Sequence, residues 1–121
     1  MGSGSDHVAV VYRYHTVWTE VDVETRLGTL GEIWADDGVY LDPDVPDGVV
    51  GPKALSDLID ASVAQFPGLE ITATRDVAVL GDRAWYRWRA TARDGETFEG
   101  TDFFEFDTDG RIQRLTDFFD P

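Results

Sequence analysis

The segment Thr97–Phe106 constrains the fold of this chain more than any other stretch. Its residues alternate as in a β-strand, which places five of them on one face: Phe98, Gly100, Asp102, Phe104 and Phe106. Four of the five suit a hydrophobic core, whereas the fifth is a carboxylic acid. Because an unpaired carboxylate in an apolar wall is costly, Asp102 must find a partner or stay neutral with a raised pKa. Both outcomes favour a small-molecule pocket; the alternative is a structural acid satisfied by tyrosine, tryptophan or backbone donors.

The composition bounds the kind of protein. At 121 residues the chain is long enough for one core, so we expect a single domain over residues 6–121, with residues 1–5 interpreted as an expression tag. The net charge of −14 repels phosphate backbones and anionic membranes, so we expect no nucleic acid and no membrane partner. A neutral or cationic ligand is easier to bind than an anionic one.

Two absences narrow the chemistry further. The chain has no cysteine, which excludes disulfides, thiolate nucleophiles and cysteine-based metal sites. No apolar run approaches the roughly 20 residues of a membrane span, and we therefore expect a cytoplasmic protein. Serine-nucleophile, dinucleotide and zinc motifs are also missing, so we expect no cofactor and no metal.

Three helices are predicted before the main sheet. Asp6 is the expected N-cap of a first helix that runs to about Glu20. Asp22 caps a second helix, which Gly38 is expected to end. A third helix has Pro52 in its first turn and stops at residues 67–68.

The remaining segments predict strands. A short strand at residues 39–42 is followed by a loop at residues 44–50. Four antiparallel strands then form a meander, with approximate bounds 69–79, 84–93, 97–106 and 111–119. This order predicts an α+β domain. On the outer face of the meander, arginines lie beside glutamates, and the large aromatics Trp85 and Phe103 indicate either a partner subunit or ordinary surface aromatics.

The layout resembles a known superfamily. Together with residues 34–43 (WADDGVYLDP) and residues 100–106 (GTDFFEF), it is similar to nuclear transport factor 2-like proteins, and within them to SnoaL-like polyketide cyclases and ketosteroid isomerases. The resemblance implies a cone-shaped, curved antiparallel sheet wrapped around three helices, a cystatin-like α+β barrel, with the pocket at its open end. It also implies a homodimer through the outer sheet face. The fold hosts isomerases, cyclases, hydrolases and non-catalytic binders.

The similarity to ketosteroid isomerases extends to single residues. Tyr14 stands in an Arg-Tyr pair on the first helix, Asp42 precedes a proline, and Asp102 lies on the long strand, each as in that family. The resemblance implies that Asp42 is a catalytic base and that Tyr14 and a neutral Asp102 stabilise an enolate. We therefore expect an isomerase or cyclase that acts on an apolar, carbonyl-containing molecule.

Other residues are expected to line the substrate pocket. They are Tyr40, Trp88, Asp117, His15, Phe104, Phe119 and Trp18. Each functional interpretation has a structural alternative. Tyr14 suits a core tyrosine, Asp42 a turn, His15 a structural histidine, and Asp117 a side chain that points into water near the chain end.

Two other functions fit the same fold. A non-catalytic module would bind a small ligand or a partner in the same cone. An enzyme similar to limonene epoxide hydrolases would use Asp117, with Tyr40 and Asp42 holding the water. However, the arginine and aspartate that complete such a site are not reproduced, because residues 85–89 read WYRWR.

Overall fold

The computed structural model describes residues 4–121 and the side chains from Asp6 onward. Three helices and seven strands follow one another along this part of the chain. They are α1 Gly4–Val17, α2 Val23–Ile33, β1 Trp34–Asp42, β2 Val45–Val50, α3 Pro52–Gln65, β3 Glu70–Ala73, β4 Ala78–Leu80, β5 Arg83–Thr91, β6 Thr97–Phe106 and β7 Ile112–Phe119. None of the helices within residues 4–121 has the length and apolarity needed to cross a bilayer.

The strands form one curved sheet in the order β2-β1-β7-β6-β5-β3, with β4 also paired to β5. The predicted α+β class with three helices and a curved sheet is confirmed. The sheet is mixed rather than purely antiparallel, because β1 runs parallel to β7. A hairpin cannot join parallel neighbours, and here α3 and the whole meander separate the two strands along the chain. The sheet also stays open instead of closing into a barrel.

The junction between α2 and β1 differs from the prediction. The helix ends at Ile33 and the strand begins at Trp34, so Gly38 lies inside β1 and ends no helix. A Cβ at Gly38 would meet the Trp34 indole at 2.6 Å, and the indole Nε1 donates a hydrogen bond to the Gly38 carbonyl at 3.0 Å. Glycine is required at this position because the buried indole of Trp34 lies against its backbone.

Two other segments also differ from the prediction. Residues 44–50 contain β2, which pairs with β1 through Val39 and Val50, instead of a loop. Pro46 is tolerated there because β2 lies at the sheet edge. The segment 69–79 divides into β3 and β4, which pair with the same strand β5 on either side of an irregular stretch.

The predicted starts of α2 and α3 agree with the structure, whereas the predicted start of α1 does not. Asp22 is the N-cap of α2, since its Oδ2 accepts a hydrogen bond from the Thr25 N–H at 3.3 Å. Pro52 is the first residue of α3, as expected. Asp6 is not an N-cap, because α1 begins at Gly4 and places Asp6 in the first turn; the helix ends at Val17 rather than near Glu20.

A buried arginine joins α2 to α3. Arg26 is fully buried, and its guanidinium donates to the Glu20 carbonyl, to the carbonyl and hydroxyl of Ser56, and to the Asp60 carboxylate at 2.8 Å. The buried charge is therefore both paired and hydrogen-bonded, as such a charge must be in a stable core. Nothing in the sequence pattern distinguished Arg26 from a surface residue.

The outer sheet face carries the expected pairs. Arg89 on β5 forms an ion pair with Glu99 on β6 at 2.9 Å, which confirms the predicted cross-strand pairing. Trp85 lies opposite Phe103, and the guanidinium of Arg75 stacks over the Trp85 ring, 4.2 Å from its centroid.

Candidate functional site

A cavity of about 980 Å³ opens between α1, α3 and the inner face of the sheet. Eight of the ten residues predicted for the site line it: His15, Trp18, Tyr40, Asp42, Trp88, Asp102, Asp117 and Phe119. Tyr14 and Phe104 do not, because both are buried in the core with at most 1% of their surface exposed. The eight residues make up a third of the 24 that line the cavity.

Two carboxyl groups face each other on this wall. Asp102 of β6 and Asp117 of β7 are directly paired across the strands, and Tyr86 of β5 is the neighbour of Asp102 on its other side. Asp102 is only 4% exposed, and among residues 6–121 its Oδ1 has no hydrogen-bond partner. The structure therefore places Asp102 on the buried face of β6, at the cavity and between Tyr86 and Asp117.

Burial and the charge of Asp117 hold a proton on Asp102. Desolvation raises the pKa of Asp102 well above its ordinary value, and the charge of Asp117 raises it further. Desolvation also raises the pKa of Asp117, from 3.8 to about 6, although hydrogen bonds partly oppose the shift. Near neutral pH the pair therefore consists of a neutral Asp102 beside an ionised Asp117, the arrangement expected of two close carboxyls.

Asp117 lies against the polar groups of two aromatic side chains, Trp88 and Tyr40. The indole Nε1 of Trp88 donates to its Oδ1 at 3.0 Å, and the hydroxyl of Tyr40 lies 3.2 Å from its Oδ2. The same hydroxyl lies 2.7 Å from Oδ2 of Asp42. A phenol carries one proton, so the shorter contact marks Asp42 as its main acceptor. Burial raises the pKa of Tyr40, which keeps that proton in place.

Asp42 serves a turn as well as the cavity. Its Oδ1 accepts the backbone N–H groups of Asp44 and Val45 at 2.8 and 3.0 Å, which fixes the connection between β1 and β2. Its Oδ2 receives the Tyr40 hydroxyl. Asp42 therefore stabilises the turn and also lines the cavity. Most of its accepting capacity is used before a substrate arrives.

The positions of Tyr14 and Phe104 correct two expectations. The Tyr14 hydroxyl accepts a hydrogen bond from the Trp18 indole at 2.6 Å, and its ring packs edge-on against Phe104 with centroids 5.4 Å apart. Burial raises the pKa of Tyr14 far above its ordinary value, with further contributions from Asp102 and Asp117. Trp18, four residues later and just beyond the end of α1, lines the cavity instead.

A histidine and a tyrosine complete the wall. The Nε2 of His15 lies 3.0 Å from the Ile71 carbonyl, and its Nδ1 lies 2.9 Å from the Tyr86 hydroxyl. Because a carbonyl only accepts, Nε2 carries a proton; in the neutral ring Nδ1 then accepts from Tyr86. Tyr86 is not among the residues that the sequence indicated for the pocket. Its place beside Asp102 follows from the β5–β6 register, which the sequence alone does not fix.

Three helices packed on a curved, open, mixed sheet give the nuclear transport factor 2-like α+β fold. Residues 11–115 match the family model of the SnoaL-like domain, and the chain belongs to this family. A comparison with curated protein sequences finds no match.

Solved structures show the same fold. A presumed isomerase of the SnoaL-like family from Agrobacterium tumefaciens strain C58 is 28% identical, with a TM-score of 0.88 over 97% of this chain and 99% of that one. A presumed ketosteroid isomerase from Kribbella flavida is 22% identical, with a TM-score of 0.74 over 97% and 79% of the two chains. A protein from Catenulispora acidiphila with a ketosteroid isomerase-like fold, in complex with trimethylamine, is 17% identical, with a TM-score of 0.72 over 89% and 82%.

Proposed function

We propose that this protein is a cofactor-free acid–base enzyme, an isomerase or cyclase that enolises a small carbonyl compound. The observation that carries the proposal is the pair of facing carboxyls, Asp102 and Asp117, on the wall of a cavity large enough for a small organic molecule. Two close acids with unequal proton affinity are the usual arrangement for general acid–base chemistry. The family membership and the likeness to presumed isomerases support the same reaction class.

In this proposal Asp117 is the base and Asp102 is the donor. Asp117 takes the proton next to the carbonyl, the C–H electron pair forms the enolate, and the negative charge moves from the carboxylate to the substrate oxygen. The neutral carboxyl of Asp102, buried and with a free Oδ1, stabilises that oxygen. A base with a pKa of about 6 is largely ionised at neutral pH and still accepts a proton well.

The sequence had indicated Asp42 as base and Tyr14 as second donor. The geometry favours other roles for both. Asp42 already accepts hydrogen bonds from Tyr40 and two backbone amides, and it acts as a positioning residue that orients Tyr40 toward Asp117. Tyr14 lies outside the cavity lining and supports the position of Trp18 through its hydroxyl.

Proton exchange tests the assignment directly. Carbonyl compounds of steroid and polyketide type are incubated in D₂O with the protein, and deuterium entry next to the carbonyl is followed by NMR. We expect the Asp117→Asn variant to lose at least 100-fold in rate, whereas the Asp57→Asn variant, which removes an exposed carboxylate of α3, stays within twofold. The wild-type rate should rise with pH through an apparent pKa near 6.

Two results would contradict the proposal in different ways. A full loss in Asp42→Asn with normal exchange in Asp117→Asn assigns the base to Asp42. No exchange above the buffer rate across the panel favours the non-catalytic binding module, for which the Catenulispora acidiphila complex with trimethylamine is a precedent within the fold. The epoxide hydrolase alternative has less support, because no arginine among residues 6–121 lines the cavity.

We also propose a homodimer through the outer sheet face. The supporting observation is the paired aromatic surface of Trp85 and Phe103, extended by the stacked Arg75 side chain. Sedimentation at micromolar concentration should give twice the monomer mass, and Phe103→Glu should give the monomer. A monomeric wild-type protein would exclude this assembly.

A further inference from the structure

The wall of the cavity is acidic, and His15 is its only basic side chain among residues 6–121. Seven carboxyl residues line it: Asp42, Asp44, Glu96, Glu99, Asp102, Asp117 and Asp120. Within residues 6–121, the part with described side chains, neither lysine nor arginine lines the cavity. Glu99 and Asp120 are neutralised by ion pairs with Arg89 and Arg87 of the outer face. Asp102 keeps its proton, whereas Asp42, Asp44, Glu96 and Asp117 have no cationic partner within residues 6–121 and give the interior a negative potential.

Aromatic rings form much of the remaining wall. Three ring pairs line the cavity: Trp18 with Tyr40 at 5.6 Å, Trp88 with Phe119 at 6.0 Å, and Phe66 with Phe98 at 5.7 Å between centroids. Ring faces carry negative charge density and attract organic cations, most strongly at tryptophan. Rings also bury the apolar body of a ligand. The wall thus combines two features that suit an organic cation.

An independent observation points to a polar group on the ligand. Asp102 is 96% buried and lines the cavity, and its Oδ1 has no partner among the described side chains. Buried polar atoms nearly always have a hydrogen-bond partner, and the exceptions call for an explanation such as a ligand. A ligand that reaches this atom needs a polar group as well as an apolar body.

The proposed reaction adds an electrostatic requirement. When Asp117 passes its charge to the substrate oxygen, the enolate forms in a cavity where no lysine or arginine among residues 6–121 lines the wall to pair with it. Repulsion between like charges in a partly dehydrated cavity disfavours such an intermediate. A positive charge carried by the substrate itself removes the difficulty, because the enolate and the cation then form an internal pair.

From these observations we infer that the cavity takes a ligand with a protonated amine on an apolar body. For the reaction, the substrate class is then amino-substituted carbonyl compounds. The second statement rests on the proposed function, whereas the first concerns binding alone and holds with or without turnover.

Three probes of similar shape test the inference. They are 2-phenylethylammonium, 2-phenylethanol and 3-phenylpropanoate, which carry a positive, zero and negative charge at pH 7.5. Titration calorimetry on the full chain should show the ammonium binding at least tenfold more tightly than the alcohol, and the carboxylate more weakly than either. Equal affinity for the ammonium and the alcohol, or tightest binding of the carboxylate, would overturn the inference.

The tryptophan indoles report where the probe binds. In ¹H–¹⁵N spectra the Trp88 indole, which is bonded to Asp117 in the cavity, should shift when the ammonium binds. The Trp34 indole is bonded to the Gly38 carbonyl in the core and serves as an internal control that should not move. Saturable binding without a Trp88 shift would place the cation elsewhere on the acidic surface and refute the inference.

A matched pair of variants separates the cavity from the overall charge. Asp117→Asn removes one carboxylate from the wall, and Asp57→Asn removes one from the exposed face of α3. We expect the preference for ammonium over alcohol to fall at least fivefold in the first variant and to stay unchanged in the second. The same loss in both would mean that the general field of the protein attracts the cation, and would contradict a cavity site.

The inferred amine site and the proposed reaction can be refuted separately. If the ammonium binds as described and no carbonyl compound exchanges deuterium, the proposed reaction is wrong and the amine site stands. If simple ketones exchange as fast as amino ketones of the same skeleton and the ammonium does not bind preferentially, the reaction stands and the amine site is refuted.

Discussion

Replacing the proposed base Asp117 with asparagine should raise the free energy of unfolding at pH 8. Between pH 3.8 and about 6 the folded state holds a proton on Asp117 that the unfolded chain has released. Because the folded pKa is the higher one, this group destabilises the fold above pH 6 and contributes nothing below pH 3.8. A shift of about 2 units at about 1.4 kcal/mol per unit corresponds to a penalty of about 3 kcal/mol at pH 8.

The Asp117→Asn variant should remove that penalty. Its new amide oxygen can accept from Trp88, and its amide N–H can donate to the Tyr40 hydroxyl, so the hydrogen bonds survive. We expect a gain of about 2–3 kcal/mol in the free energy of unfolding at pH 8 and almost none at pH 4. Urea denaturation of both proteins at each pH measures the difference.

A charge control makes the result specific. Lowering the pH also reduces the net charge of −14, which changes the stability of any variant. Asp57→Asn carries the same charge change at an exposed pair with Lys53 and should differ from wild type by at most about 0.5 kcal/mol at either pH. If Asp117→Asn is less stable than wild type at pH 8, or equally stable at both pH values, the assignment of a strained acid pair is refuted.

Two further predictions concern the frame of the cavity. Arg26→Met should lower the free energy of unfolding by about 2–4 kcal/mol, because the acceptors of Glu20 and Ser56 lose their donor. The control variant Lys53→Met removes an exposed ion pair and should lower the free energy of unfolding by at most about 0.5 kcal/mol. Similar losses in the two variants would contradict a stabilising role for the buried Arg26. Gly100→Ala should destabilise by about 1–3 kcal/mol, because its Cβ would collide with the Trp88 indole and the Phe118 carbonyl. Gly28→Ala, with open space around it on α2, should instead stabilise by about 0.5–1 kcal/mol, and thermal unfolding of the two variants should give opposite shifts.

Local patterns predicted the fold because they repeat over many residues. The alternation in Thr97–Phe106 fixed which face of β6 is buried, and the Asp22 cap and Pro52 marked the starts of two helices. Gly38 misled the prediction, since glycine after a helical pattern usually ends a helix, whereas here it accommodates Trp34. Pro46 concealed β2, because proline argues against a strand except at an edge, and the sequence does not show where the edge lies.

The sequence indicated which residues belong near the site, but it did not indicate how deeply each side chain is buried. Asp102 follows from its apolar neighbours, and Asp117 from its register with Leu115 and Phe119. Tyr14 lies in α1 and Trp18 lies four residues later, just beyond its end, and no local rule decides which of them reaches the cavity. The His15–Tyr86 pair and the Arg26 anchor depend on contacts between distant segments, which only the packed structure brings together.

The final residues of the chain, Asp120 and Pro121, are part of the cavity lining. A purification handle fused directly to Pro121 would therefore start beside the space that a ligand occupies. Such a handle would compete with a small molecule for that space and weaken its measured affinity, so the binding experiments call for protein without a handle at that position.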